Sequence, residues 1–285
     1  MNNIYTAPTC QMKAFNNLFI ELTQKNCNLR CKHCYIDFPL SKNIKDFIDI
    51  DSIKEALLDT KQEKLQCIYL TGAEPMTHPD FNSILRLCLK RTNVCICTNG
   101  SFINEKKARF LKKVENESDF EIIFKLSIDH YNEIKNDDIR GRGTYRQTLH
   151  AIKNLLKYEF NPILSITNYY NENPDILISE LKKMCDKINF ETLDSNFKIN
   201  KWHNKSETYS QEILNNWQSL DCEFGRILTT KGIYNCPFLA NDHRGRSGSN
   251  FKNFARKNLL ETDYCSTCIA NKETMFAIDY NKFKV

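Results

Sequence analysis

From residue 17 onward, short apolar runs alternate with amphipathic ones. LFIEL (18–22), CIYLT (67–71), VCICT (94–98), EIIFKLSID (121–129) and PILSIT (162–167) have the length and period of strands. The intervening segments place apolar residues at helical spacing: DSIKEALLDTKQ (51–62), DFNSILRLCLK (80–90), NEKKARFLKKV (104–114), TYRQTLHAIKNLLKY (144–158) and PDILISELKKMCDKI (174–188). A last, weaker strand is expected within FETLDSNFKI (190–199). Six β/α units in series predict an α/β fold, a parallel sheet with its helices outside. Eight such units close a full barrel, so six predict an open, partial (β/α)6 TIM-like barrel.

Alternation also assigns faces. In EIIFKLSID, Ile122, Phe124, Leu126 and Ile128 share one face, and Lys125, Ser127 and Asp129 the other. The apolar face should pack on helices, which turns the polar face into the barrel. In VCICTN, Val94, Ile96 and Thr98 alternate with Cys95, Cys97 and Asn99. After residue 200 the pattern changes. SETYSQEILNNWQSL (206–220) suggests one more helix, and RILTTKGIYNC (226–236) a β-hairpin turning at Gly232. The expected organisation is an N-terminal extension (1–16), the partial barrel (17–205) and a small C-terminal β-hairpin/α domain (206–285).

Composition is ordinary for a globular protein, with 41% hydrophobic and 26% charged residues among 285. The N-terminus lacks the apolar run of a signal peptide, and no later stretch approaches the ~20 apolar residues of a membrane span. A cytoplasmic protein without a membrane partner is expected. The net charge of +5 is mild and forms no basic stripe, so nucleic acid is not an expected partner. Cysteine changes the picture. Thirteen occur without a secretion signal, which points to metal or redox chemistry rather than disulfides.

Two groups stand out. CNLRCKHC sets Cys27, Cys31 and Cys34 in one loop after the first strand, where β/α barrels place catalysis. Three such thiolates can hold three irons of a [4Fe–4S] cube and leave the fourth open; a zinc ion with a distant fourth ligand, His33 among the choices, is the alternative. The second group is Cys222, Cys236, Cys265 and Cys268, which could saturate either a [4Fe–4S] cluster or a zinc ion. Cys10, Cys67, Cys88 and Cys185 read as core or incidental. His203, His243, Arg244 and Arg246 read as solvated loop residues.

At these residues the chain resembles the radical S-adenosylmethionine (SAM) superfamily. ELTQKNCNLRCKHC looks like its cluster loop, with His33 where an aromatic ring is usual. TGAEP (71–75) resembles the segment whose backbone, at Gly72 and Ala73, and whose Glu74 would hold the SAM amino group; Ala73 stands where a second glycine is common. TNG (98–100), with Asn99, resembles the end of the third strand. LSID (126–129) resembles the end of the fourth, where Ser127 and Asp129 would contact the ribose or methionine moiety. DDIRGRGTY (137–145) resembles the following loop, in which Arg140 would bind the SAM carboxylate. The spacing of Cys222, Gly232 and Cys236 resembles the auxiliary-cluster extensions called twitch and SPASM domains, and implies one auxiliary [4Fe–4S] cluster.

The resemblance implies a radical SAM enzyme. A flavodoxin or ferredoxin would reduce the first cluster, SAM would be cleaved to a 5′-deoxyadenosyl radical, and that radical would take hydrogen from a C–H bond. Cys95 and Cys97 read first as small buried hydrophobes; the sharper reading makes one a hydrogen donor to a substrate radical. Oxidation or epimerisation of a small polar molecule, a sugar or aminocyclitol, is the first expectation, because only 16 residues precede the first strand and leave no room for a leader-binding domain. Modification of a ribosomally made peptide is the alternative. A non-enzymatic zinc protein is the alternative from another class.

Overall fold

A computed structural model of the chain describes residues 7–36, 45–201, 225–240 and 242–271, with residues 214, 215, 222, 276 and 278 placed singly. The elements in chain order are β1 (Thr9–Gln11), β2 (Asn17–Thr23), α1 (Ile50–Asp59), β3 (Cys67–Gly72), α2 (Phe81–Leu89), β4 (Asn93–Thr98), α3 (Glu105–Asn116) and β5 (Ile122–Ser127). There follow α4 (Glu133–Arg140), α5 (Thr144–Lys157), β6 (Ile163–Asn168), α6 (Pro174–Asp186), β7 (Phe197–Lys201), β8 (Gly225–Thr229), β9 (Gly232–Tyr234), β10 (Arg246–Gly248), β11 (Lys257–Leu259) and α7 (Asp263–Asn271). The six predicted strands are β2 to β7, paired in parallel and in chain order. The architecture is the α/β, partial-barrel class that the alternation predicts.

Three features depart from the sequence pattern. The predicted hairpin forms as β8 and β9, but β8 also pairs in parallel with β2, so the hairpin extends the barrel sheet. Its turn needs a glycine: Gly232 has φ +121°, and a Cβ there would stand 2.5 Å from the Gly248 carbonyl oxygen. Helix α4 occupies a stretch that reads as a loop, because only Ile134 and Ile139 are apolar within it. Caps define it instead. The Asn132 side chain accepts from the Lys135 amide, and Gly141, at φ +111°, stops it. The third feature is a two-stranded antiparallel pairing of β1 with β11, which joins residues about 250 apart in sequence. The helix expected over 206–220 and His203 lie outside the described residues, apart from positions 214 and 215.

The core has two layers, set by strand parity. Even-numbered residues of β2 to β5 pack on the helices, among them Leu18, Ile68, Ile96 and Phe124, together with Cys88 and Cys185 of α2 and α6. Odd-numbered residues face the barrel interior. Phe19, Cys67, Tyr69 and Cys95 close its floor with Ile227 and Tyr234, and the Phe19 and Tyr69 rings stack at 4.3 Å. The apolar floor leaves the polar chemistry at the carboxyl ends of the strands.

Candidate active site

A cavity of about 600 Å³ opens at those ends. Cys27, Cys31 and Cys34 line it together, so the loop after β2 delivers all three thiols to one space. Local hydrogen bonds explain the loop's path: the Thr23 hydroxyl accepts from the amides of Lys25 (3.2 Å) and Asn26 (3.1 Å). The loop is then stitched to TGAEP, with the Ala73 amide donating to the Thr23 carbonyl (2.7 Å) and the Glu74 amide to that of Asn26 (3.1 Å). Such close approach requires Gly72, whose φ is +121° and where a Cβ would lie 2.2 Å from the Thr23 oxygen. Ala73 lies outside the positive-φ region, so the missing second glycine costs no backbone strain.

The donor set fits an iron–sulfur cluster. N–H groups approach two of the thiols: the Leu29 amide 3.4 Å and the Asn99 side-chain amide 3.9 Å from Cys27 Sγ, and Arg140 Nη1 3.6 Å from Cys31 Sγ. These would stabilise thiolate ligands. Burial pushes the Cys34 thiol up to about 11, so a free Cys34 is protonated at neutral pH and loading the site must release protons. Among the described residues no three His, Cys, Asp or Glu converge as a single metal ion would need. His33 is also committed elsewhere, with Nε2 2.6 Å from Asp129 Oδ2. The His33–Asp129 contact engages the ring that a zinc site would need as its fourth ligand.

Of the residues expected at SAM, Gly72, Ala73, Asn99, Ser127 and Arg140 line the cavity, while Glu74 and Asp129 turn inward. The buried Glu74 carboxylate accepts from the Thr98 hydroxyl (2.9 Å) and the amides of Asn99 (2.9 Å) and Met76 (3.1 Å). Burial pushes Glu74 up to about 7 although these donors oppose it. Glu74→Gln should therefore set an NH2 group against one of the two amide donors. A loss of about 1–3 kcal/mol in denaturant unfolding is expected, with iron content unchanged. Asp129 is buried between Arg140 (Nε 2.8 Å) and His33, and accepts from the Thr167 amide (2.8 Å). Burial opposes its charge, but Arg140 and His33 outweigh burial and hold it below the usual carboxylate range. His33 is the site residue that sequence reasoning placed least well; its signal was the polar ring at a position where the family carries an aromatic one.

The two lumenal cysteines separate. Cys95 is fully buried in the floor, whereas Cys97 lines the cavity beside Lys125, its register partner on β5. A hydrogen bond from Cys95 holds the Cys97 thiol below its usual value against burial, and the Lys125 charge adds to that. Lys125 is itself buried and donates to the Phe276 carbonyl (2.9 Å). The far wall is aromatic: Phe238 stacks on Tyr264 at 4.5 Å and meets Tyr35 edge-on at 5.6 Å. His243 and Arg246 are exposed and Arg244 pairs with Asp242, as expected of solvated residues, although Arg246 opens strand β10 rather than lying in a loop.

Behind that wall lies the second cysteine group. Cys222, Cys265 and Cys268 pack against one apolar cluster of Cys10, Leu260 and Ile269, Cys236 lies within electrostatic range of Cys265 and Cys268, and the Thr262 hydroxyl donates to Cys265 Sγ (3.2 Å). Arg226 is fully buried close by; its guanidinium donates to the carbonyls of Gly225 (2.7 Å) and Ala255 (3.2 Å) and to the side-chain oxygen of Asn258 (2.9 Å). None of these partners is a carboxylate. A buried cation without one calls for an anionic neighbour, and a thiolate-ligated cluster is such a neighbour.

Fold and site define a class: a partial β/α barrel with a cysteine triplet at the carboxyl ends of its strands. Residues 22–185 match the family model of the Radical SAM superfamily, and the chain belongs to that superfamily. The family uses a [4Fe–4S] cluster and SAM. It is 32% identical over 135 residues to the antilisterial bacteriocin subtilosin biosynthesis protein AlbA of Bacillus subtilis, covering 47% of this chain and 29% of that protein. It is 28% identical over 169 residues to pre-heme d1 synthase of Dinoroseobacter shibae, covering 57% of this chain and 38% of that protein. The chain thus spans well under half the length of these two relatives. Streptococcus suis SuiB bound to its precursor peptide SuiA shares the fold, with TM-score 0.62 and 16% identity over 86% of this chain and 64% of that one. Among the described residues no helix is long and apolar enough to cross a membrane.

Proposed function

We propose that the protein modifies a peptide substrate in the cytoplasm by radical SAM chemistry, with a flavodoxin or ferredoxin as electron donor. The observation that carries this is the likeness to a bacteriocin biosynthesis protein over 47% of the chain. The cavity agrees with it: at about 600 Å³ it falls in the size range of small-molecule and cofactor sites, and its aromatic wall and Lys125 suit a mixed apolar and polar segment. The preference for a sugar or aminocyclitol gives way, since it rested on the shortness of the chain before the first strand.

In this reading Cys27, Cys31 and Cys34 hold the first cluster. The backbone at Gly72 and Ala73 receives the SAM amino group, Arg140 its carboxylate, and Asn99 and Ser127 the remaining polar groups. Glu74 and Asp129 hold these residues in position. When bound, the cluster and SAM supply a carbon radical able to take hydrogen from an unreactive C–H bond. The floor of Phe19, Tyr69 and Cys95 excludes water beneath the reacting atoms. Cys97 is the hydrogen donor of the two cysteines, since Cys95 does not reach the cavity. Cys222, Cys236, Cys265 and Cys268, in the accessory domain after residue 205, hold the auxiliary cluster. The test is substrate-dependent formation of 5′-deoxyadenosine above the uncoupled rate. A random-sequence peptide library should stimulate it and yield mass-shifted peptides. Stimulation by sugars, aminocyclitols or tetrapyrrole carboxylates but by no peptide would sink the reading.

A further inference from the structure

The second cysteine group contains one thiol more than a cluster needs. Cys10, on strand β1, is fully buried and packs with Cys222, Cys265 and Cys268. It stands in hydrogen-bond contact with the Cys222 thiol. Its position is built rather than incidental. Strand β1 is clamped to β11, with Cys10 opposite Asn258, and the pairing continues at both ends through the Leu260 amide to the Pro8 carbonyl (2.9 Å) and the Met12 amide to the Arg256 carbonyl (2.7 Å). Asn258 in turn accepts from the buried Arg226, whose guanidinium lies within electrostatic range of Cys10, Cys222 and Cys236. The N-terminal strand therefore brings a thiol and, through Asn258, helps to hold the buried Arg226 cation beside the group.

We propose that Cys10 and Cys222 share one ligand position of the auxiliary cluster, either thiol being able to complete the set formed by Cys236, Cys265 and Cys268, with Arg226 as the countercharge of the loaded site. A cluster of this kind takes one thiolate per iron, so two adjacent thiols at one corner are alternatives. The exchange is redox-neutral: one thiolate replaces the other on the same iron, and the proton of the incoming thiol passes to the outgoing one. This proposal rests on the reading of the second group as a cluster site.

The test uses full-length protein in which Cys27, Cys31 and Cys34 are alanine, so that only the second site can bind iron. After anaerobic reconstitution this parent should hold about four irons. An iron-free parent overturns the proposal together with the reading it rests on. Cys10→Ala and Cys222→Ala, each added alone, should keep about four irons, and the double variant should lose the cluster. Spectra of the reduced proteins should separate the two single variants, because the ligating thiol differs. Arg226→Met should keep its iron and titrate at a more negative potential, since a cation beside a cluster favours its reduced form; Arg226→Lys should restore the parent potential in part. Loss of iron in Cys222→Ala alone, or a double variant that still binds iron, overturns the shared position. An unchanged potential in Arg226→Met overturns the countercharge. Circular dichroism of each variant identifies any that has failed to fold, and serine replacements at Cys10 and Cys222 then repeat the comparison.

Discussion

Replacing Cys27, Cys31 and Cys34 together with alanine is expected to abolish conversion of SAM to 5′-deoxyadenosine by reconstituted, dithionite-reduced protein. All three thiols line the cavity, and no other cysteine of the strand ends except Cys97 reaches it. Cys97 cannot substitute, because it lies on β4 next to Lys125 rather than in the loop after β2. The effect should be total rather than graded, since the open iron that SAM requires exists only when the other three irons are held. The same variant also counts the second site. It should keep about half of the roughly eight irons that two [4Fe–4S] clusters contain. A variant free of iron that holds about one zinc would instead assign zinc to the C-terminal cysteines, and one that still makes 5′-deoxyadenosine would refute the assignment of the first cluster.

Asp129→Asn is expected to cost about 3–5 kcal/mol of stability, the usual penalty for removing one partner of a buried ion pair. The side chain keeps its shape and can still accept from the Thr167 amide, but Arg140, only 7% exposed, loses its countercharge. Asp129 also holds His33, so the loosened element is the loop of Cys27, Cys31 and Cys34. The sign of the pH dependence follows. Asp129 is held below the usual carboxylate range, so its contribution is present above the unfolded value of about 3.9 and lost as pH falls through the folded value. Wild-type unfolding free energy should therefore drop more steeply in that acid window than the variant's. Equilibrium denaturant unfolding between pH 3 and pH 7 measures both. Asp129→Asn combined with Arg140→Gln should cost less than the two single changes added, because the second removal relieves the unpaired cation. A loss under 1 kcal/mol, or strict additivity, would mean that the pair does not hold this corner of the site.

The strand and helix periods alone specify β2 to β7 and their helices, because each element buries one face and repeats that requirement every turn or every second residue. The cysteine triplet, the TGAEP segment and the Cys265–Cys268 pair were legible for a similar reason: the residues are close in sequence and carry few alternative chemistries. Parity even assigned Lys125 and Ser127 to the interior. Tertiary structure decided the rest. Glu74 and Asp129 sit at the strand ends where the sequence puts them, yet their carboxylates face chain donors rather than the cavity, a choice made by Thr98, Asn99, Arg140 and His33 arriving from other elements. Helix α4, which carries Arg140 to the loop of Cys27, Cys31 and Cys34, is held by caps and so leaves almost no apolar period to read. Cys10 looked incidental because its partners lie more than 200 residues away. The β1–β11 pairing that brings it to Cys222 is a long-range hydrogen-bonded contact, and no local pattern encodes one.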